Sequence, residues 1–576
     1  MPSNRIVNTN RTNSGKGNVT SIDRSQRSTC NIVIYRWDDT DITKLNSIDA
    51  NGEKGYEGRG QGSISGNFNQ RSRVVIKNDV VRANISKNKS SNAGTFSINL
   101  KKGKQVIRNQ VQKEDIDYLD VIHPGDWVMI YIKKGGEVDV NSLNQASGFK
   151  CLGIVKNVRY VEVDDPETGK PRLEYVVTGE DFGSVFNMDV FFNPLLNQDA
   201  AQLLLGAKFL TDSLDSVKGT DRPSPETGGG FTPDSIIKKM IGFYLGGSRG
   251  DSNLDSLNIT NQTWYVPPLL GQTFGSRIRN KSQGVSFVDI LKTDRIGLHS
   301  YNRNGSFRGT KPLPGATFIK ALPSSGSVWQ IMSTMQNSIA NEMFTELVAD
   351  EDGNLRPSVV LRQVPFSNRP GETNVFSTAD RYNSNNAKEV PESFQKTYLV
   401  DLPRHSIVSS DIKNKNVGKS EHERINHVLV VPKIDVNAIN QAYTAITNTP
   451  SIQRYGLKSY QGQTQYVADT RLGDPKKACK FFAHLLVDWF FLSHQFYNGT
   501  ITIDGKDNHF QIGNNLYISD VGQLYHIEGY THTFINNPEG STEFTTELTV
   551  SRGQVFQNNQ SKFIGPSRFK SEPTTV

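Results

Sequence analysis

The sequence predicts a mainly β fold with α insertions, built as two antiparallel β-barrels plus α+β insertion domains. Three observations predict it. Apolar and polar residues alternate with period 2 in short runs bounded by glycine, proline and asparagine turns. One order of turn and strands occurs twice. Helical spacing of apolar residues is confined to a few segments between those β blocks.

Residues 1–29 are polar and lightly basic, with Arg5, Arg11, Lys16, Arg24 and Arg27 against Asp23. Such a stretch cannot bury enough apolar surface to order itself and reads as an arm. Residues 31–37 form the first predicted strand. Gly58, Gly60 and Gly62 fall in a glycine-rich stretch, but Ser63-Ile64-Ser65-Gly66 follows instead of a helix start, so the stretch reads as a loop and not a phosphate cradle. Strands are then predicted over 74–82, 94–100, 126–132, 149–163 and 172–178, with turns at Pro124-Gly125-Asp126, Lys134-Gly135-Gly136 and Asp165-Pro166-Glu167-Thr168-Gly169.

Helices are predicted over 199–217, with Leu203, Leu204, Ala207 and Leu210 on one side, and over 232–245, where Thr232 caps, Pro233 occupies the first turn and Gly246-Gly247 stops it. Residues 246–325 read as an irregular insertion. A helix over 328–340 carries Val328, Ile331, Met332, Met335 and Ile339 on one face and leads into a hairpin of 343–349 and 358–364. After a linker over 367–400, strands resume at 405–412 and 425–432. Residues 477–497 form the most apolar helix, with rows Phe481, Leu485, Trp489 and Phe482, Leu486, Phe490, expected to anchor the last barrel. Strands then follow over 500–503, 511–519, 523–534 and 541–551, with Asp504-Gly505 read as a hairpin turn.

The two β blocks run parallel. Gly125 opening an alternating strand matches Gly513 doing the same. After each come a strand of about ten residues (153–163; 525–534), a polar turn and a final strand (173–178; 544–550).

Composition narrows the function classes. With 576 residues and 35% apolar content, the chain suffices for several cores. Its formal net charge of +7 is mild for this length, and no Lys/Arg cluster interleaved with aromatics marks a nucleic-acid face. Three distant cysteines, Cys30, Cys151 and Cys479, argue against a disulfide framework; Cys151 and Cys479 read as small core residues. No run approaches a membrane span, and the start lacks a signal-peptide core, which implies assembly in a reducing cytoplasm.

The ending, Gly499-x-Ile501-x-Ile503-x-Gly505, then Tyr525-x-Ile527, then Leu548-x-Val550-x-Arg552-Gly553, resembles the last barrel of phage tail baseplate hub proteins, which are related to the hub part of type VI secretion spike proteins. Trp329, Phe344-x-Glu346-Leu347, Asp352-Gly353 and Leu361-Arg362-x-x-Pro365 stand in the order in which such hubs carry a Trp-led helix, an F-x-E-L strand, a turn and an L-R-x-x-P strand. The resemblance covers about half the chain; the insertion at 246–325 and the linker at 367–400 depart from it. It implies tube-like barrels and a homotrimer whose six barrels join a six-fold tube to a three-fold spike.

Three chemical alternatives arise. His422-Glu423 with His427 suggests a metal helix, but the histidines are five apart, and four is the spacing that shares a helix face. Glu346, Asp350, Glu351 and Asp352 suggest the carboxylate pair of a peptidoglycan hydrolase; Asp350–Asp352 sit in a turn, where hydrated acids keep ordinary pKa values. Carbohydrate binding at a tail tip is the third.

The expectation is therefore a 1–29 arm, a first tube-like barrel over 30–185, a helical and irregular insertion over 186–325, an α+β hub domain with linker over 326–400, a second tube-like barrel over 401–555 and a tail over 556–576. The expected function is structural: the central trimeric hub of a tail baseplate, in the virion and assembled in the host cytoplasm. Its expected partners are the tail tube ring, a spike or tip protein and other baseplate proteins. No catalytic, cofactor or metal residues are assigned, and no membrane span or specific nucleic-acid site is expected. The alternatives are a cell-wall-degrading tail-tip enzyme and the hub of a contractile secretion or killing apparatus.

Overall fold

The computed structural model describes residues 27–35, 73–77, 79–101, 106–108, 111–113, 117–135, 148–164, 171–187, 189–191, 325–336, 338–339, 341–349, 355–365, 399, 402–432, 445–464, 475–537, 541–556 and 563–564. The predicted helices over 199–217 and 232–245, the glycine stretch at 58–62, residues 1–26 of the arm and Asp350, Glu351 and Asp352 lie outside the described residues.

The chain forms β1 (Ser28–Tyr35), β2 (Arg73–Ile76), β3 (Val80–Asn88), β4 (Thr95–Lys101), β5 (Val106–Arg108), β6 (Val111–Lys113), α1 (Tyr118–Val121), β7 (Trp127–Lys134), β8 (Phe149–Asp164), β9 (Pro171–Asp181) and β10 (Asp189–Phe191). There follow β11 (Ser325–Ser327), α2 (Val328–Met335), β12 (Asn341–Ala349), β13 (Leu355–Gln363), β14 (Arg404–Ile407), β15 (Ile412–Gly418), β16 (His427–Pro432), β17 (Ile446–Thr447), α3 (Thr449–Tyr455), β18 (Ser459–Thr464) and α4 (Pro475–Phe490). The chain ends with β19 (Tyr497–Asp504), β20 (Asn515–Ile518), β21 (Gln523–Asn536), β22 (Thr542–Phe556) and β23 (Phe563–Ile564). The fold is mainly β, as the alternation predicts.

Most strands join one 16-stranded sheet containing two arrays of the same plan. In the first, the order is β3-β4-β9-β8-β7-β1; in the second it is β15-β19-β22-β21-β20-β14. Taken in chain order, the strands correspond one to one. Two of their irregularities correspond too. A bulge at residue 156 of β8 matches one at 528 of β21, and a bulge at 81 of β3 matches one at 413 of β15. A bulge inserts one residue against the partner strand and sets the register beyond it, so shared bulges mark shared registers. One pairing differs: β1 runs antiparallel to β7, whereas β14 runs parallel to β20.

The arrays are continuous. β21 pairs with β22 on one side and, over Gly529–Ile535, with β3 of the first array on the other. They also share one hydrophobic core, which mixes Ile32, Ile98, Leu100 and Ile130 of the first array with Ile501, Ile503, Leu516 and Leu548 of the second. Ile98 and Leu100 face the core in the same alternation as Ile501 and Ile503.

Two local expectations are corrected. Asp504-Gly505 does not close a hairpin: β19 pairs with β15 and β22, while β20 lies beyond β21. A tight turn reverses the chain, but the neighbours of β19 come from distant segments. The apolar helix ends at Phe490 and does not belong to the core of the large sheet. It packs with Val428 and Val430 of β16, beside Ile339, Leu399 and Leu402, on a separate three-stranded sheet β17-β16-β18. One tie to the large sheet is Arg552, which donates to the Trp489 carbonyl and stacks over the Trp489 ring at 3.8 Å. Strands β15 and β18 and helix α3 were not expected, because Ile412–Gly418 and Ser459–Thr464 are polar along most of their length.

Cys30, Cys151 and Cys479 are buried free thiols, matching the core reading of Cys151 and Cys479. No described helix is long and apolar enough to cross a membrane.

Candidate functional site

The hairpin β12–β13 sits on the seam between the arrays, and it carries the motif residues Phe344, Glu346 and Arg362. Along β12, period 2 puts Glu342, Phe344, Glu346 and Val348 on one face. Phe344 and Val348 join the shared core, so Glu346 between them is carried inward, and Glu342, next to Phe344 on the same face, is largely covered. Buried carboxylates must find cationic or N–H partners. These partners come from both arrays.

Glu342 lies directly opposite Arg362 across the hairpin, and Arg362 Nε donates to its Oε1 at 2.5 Å. Lys89, just past β3, reaches Glu342 Oε2 at 2.9 Å and Glu528 Oε2 of β21 at 3.1 Å. Arg362 also donates through Nη2 to the Gly513 carbonyl at 2.7 Å. Burial pushes the Glu342 carboxyl upward, but Arg362, Lys89 and His526 outweigh it and bring it down to about 2.

Glu346 makes the second set. Its Oε1 meets His509 Nε2 at 2.9 Å and accepts from the Leu347 amide at 2.6 Å; its Oε2 accepts from the Ile512 amide at 2.8 Å. Burial again pushes upward, and His509, Lys87 and the Ile512 amide reverse it, leaving this carboxyl below the ordinary glutamate value. The His509 ring packs edge-on against Tyr530 at 5.3 Å.

Lys87 of β3 makes the third. It pairs with Asp181 of β9 and donates to Thr345 Oγ1 of the hairpin at 3.0 Å. Burial raises the Asp181 pKa against the pull of Lys87. Nearby, Lys150 at the start of β8 is fully buried and donates to the carbonyls of Lys506, Asp507 and Asn508 at 2.7, 2.9 and 2.7 Å. Burial brings it down to about 7, against the pull of Asp507. Between these groups lies a cavity of about 10 Å³, lined by Lys87, Lys150, Asp181 and Tyr530 among others. That is room for about one water and for no substrate.

This arrangement is a clamp. It holds the first array (Lys87, Lys89, Asp181) and the second (His509, Ile512, Gly513, Glu528) to one hairpin by charge-assisted bonds. It is poorly suited to acid catalysis. A general acid needs a raised pKa and access to substrate, and Glu346 is buried, ionised and saturated.

The other candidates are dispersed. His422 lies in an exposed turn over Glu421–Glu423, while the His427 ring on β16 contacts Ser459 Oγ at 2.6 Å. Among the described residues no group of three His, Cys, Asp or Glu side chains is arranged to hold a metal. Lys87, Lys89, Lys150, Glu342 and His509 were not singled out from the sequence. The available signal was phase: in Ile85-x-Lys87 and Glu342-x-Phe344-x-Glu346 the charges share the inward face with apolar residues.

No protein-family model matches the chain, and no curated protein matches it in sequence. In structure it is similar to the tail protein from Neisseria meningitidis, at 11% identity and a TM-score of 0.32, over 83% of this chain and 93% of that one. It is similar to the 43 kDa tail protein of prophage MuSo2 from Shewanella oneidensis at 10% identity and a TM-score of 0.36, over 83% and 94% of the two chains. A half-lidded PdpA-VgrG complex of Francisella matches at 8% identity and a TM-score of 0.33, over 92% of this chain and 60% of that one.

Proposed function

We propose that the chain is a structural component of a phage-type tail baseplate, a homotrimeric hub that joins the tail tube ring to a spike or tip protein. The observation that supports this reading most is the duplicated array. Two arrays with the same strand order and two shared bulges in one chain give six in a trimer. A three-membered ring then offers a six-fold tube six similar contacts. The buried clamp fits a load-bearing part, because it locks the angle between the two arrays within each chain. The reading includes a non-catalytic role, which the closed surroundings of Glu346 favour, and a place in the virion after assembly in the host cytoplasm.

The test is the native mass of the purified chain, followed by co-assembly with the tube and spike proteins of the same particle. A trimer that binds both is expected. A stable monomer that binds neither at assembly concentrations overturns the reading.

A further inference from the structure

Within one chain, the outer edge of β21 beyond β20 is covered by β3 over Gly529–Ile535. Among the described residues, the equivalent edge of the first array carries no strand. β7 pairs with β8 only up to Ile154, and no described strand lies on that side of residues 156–164. The strand equivalent to β3 is β15, and it too has an open side, since among the described residues it pairs only with β19. Among the described residues these two edges are unpaired, and each is the counterpart of a partner already joined elsewhere in the chain.

We propose that β15 of one copy of this chain pairs antiparallel with residues 156–164 of β8 in a second copy, repeating between chains the β3–β21 ladder within a chain. This inference rests on the trimer reading and names its interface. Three such joints and three internal ones close six arrays into one ring of sheet.

The shared bulges supply the register. Counting from bulge residues 156 and 528, Tyr160 matches His532 and Glu162 matches Phe534; counting from 413 and 81, Val417 matches Ile85 and Lys415 matches Ala83. Inside the chain His532 faces Ile85 and Phe534 faces Ala83. Between chains Tyr160 therefore faces Val417, and Glu162 faces Lys415.

Side-chain chemistry agrees. His532, Phe534, Ile85 and Ala83 are all buried, whereas Tyr160 is 59% exposed, an aromatic left uncovered at a position that is covered in the other array. Glu162 and Lys415 are opposite charges, with Lys415 resting in the single chain on Gln523 Oε1. One step past the strands, the Lys89 amide donates to the Glu528 carbonyl at 2.7 Å and its ammonium reaches the Glu528 carboxylate. The counterparts are Glu421 and Lys156, the same pair with the signs exchanged. In the single chain these two meet Arg424 and Glu180. Directly opposed cross-strand charges of opposite sign stabilise pairing, and like charges there oppose it.

The test is a Tyr160→Cys, Val417→Cys double variant of the full chain, oxidised and run without reductant beside each single variant. Directly opposed antiparallel residues have Cα atoms about 4.5–5.5 Å apart, within the range of roughly 4.4–6.8 Å that a disulfide spans. A covalent trimer from the double variant, and monomers from the singles, is the expected result. Hydrogen exchange on the unaltered protein gives a second reading: amides of 157–163 and 414–420 should exchange at least ~tenfold more slowly in the trimer than in the dissociated chain. A native trimer with no inter-chain disulfide and no protection at these edges overturns the pairing and leaves the hub reading standing. A chain that stays monomeric at assembly concentrations overturns both.

Discussion

Gly125 and Gly513 turn the same corner in the two arrays. Both have positive φ, +95° and +82°. The Gly125 amide donates to the Val155 carbonyl at 2.8 Å and the Val155 amide to Asp126 at 2.9 Å. Gly513 and Ile527 repeat both bonds at 2.9 Å, through Asn514. The surroundings differ, because the hairpin β12–β13 covers only the second corner. A Cβ at Gly125 meets nothing within 4 Å, whereas one at Gly513 falls 2.5 Å from Phe344 Cζ and 2.7 Å from Arg362 Nη2. Gly125→Ala should therefore cost only the left-handed backbone, about 1–2 kcal/mol. Gly513→Ala should cost about 1–3 kcal/mol more through overpacking. Denaturant unfolding of the two variants measures the difference, and equal costs would contradict the clamp geometry.

Glu346→Gln removes the charge facing His509 while keeping the shape. Breaking one side of a buried pair should destabilise the fold by about 3–5 kcal/mol. Zymograms of particles carrying wild type or variant should not differ. Loss of clearing in a variant that still folds and assembles would make Glu346 a catalytic acid after all.

Acid should act in part through Glu342. Its folded-state value of about 2 lies below the ordinary 4.5, so its contribution is complete above pH 4.5 and is lost as the pH falls toward 2. A shift of this size corresponds to about 3 kcal/mol. Glu342→Gln should flatten stability over that window in denaturant titrations at stepped pH. An unchanged slope would assign acid sensitivity to other groups.

Lys150 predicts a slope of the same sign at alkaline pH. The unfolded chain holds this proton to about 10.5 and the folded chain releases it near 7. Between those values the unfolded state binds more protons, so this group's contribution to stability rises with pH. Wild type should gain on Lys150→Met by about 1 kcal/mol per pH unit across that interval. The bonding in 506–508 changes as well. A neutral amine has two N–H groups for three carbonyls, so amide protection around Asn508, taken relative to the intrinsic exchange rate at each pH, should fall above pH 7 in wild type alone.

Much of the β framework was legible because its signals are local. Alternation located β4, β7, β8, β9, β21 and β22 to within a few residues, and the turn glycines marked the repeat. The polar edge strand β15 was missed because only Ile412 and Val417 near its ends pack on the core, while Lys413, Asn414, Lys415 and Asn416 between them are all exposed. The clamp was half legible. Glu346 and Arg362 stood out in motifs, but their roles depend on partners far away in sequence, as with Lys87 and Thr345, 258 residues apart.

By itself, the sequence determined which residues alternate, where the chain turns and that one β plan occurs twice, because backbone period and turn chemistry act over a few residues. Only the tertiary structure decided that β19 joins β15 and β22, that α4 packs on a separate sheet and that β3 welds the two arrays together. Strand pairing and charge burial are settled by whichever distant segments exclude water together, and no local pattern encodes that choice.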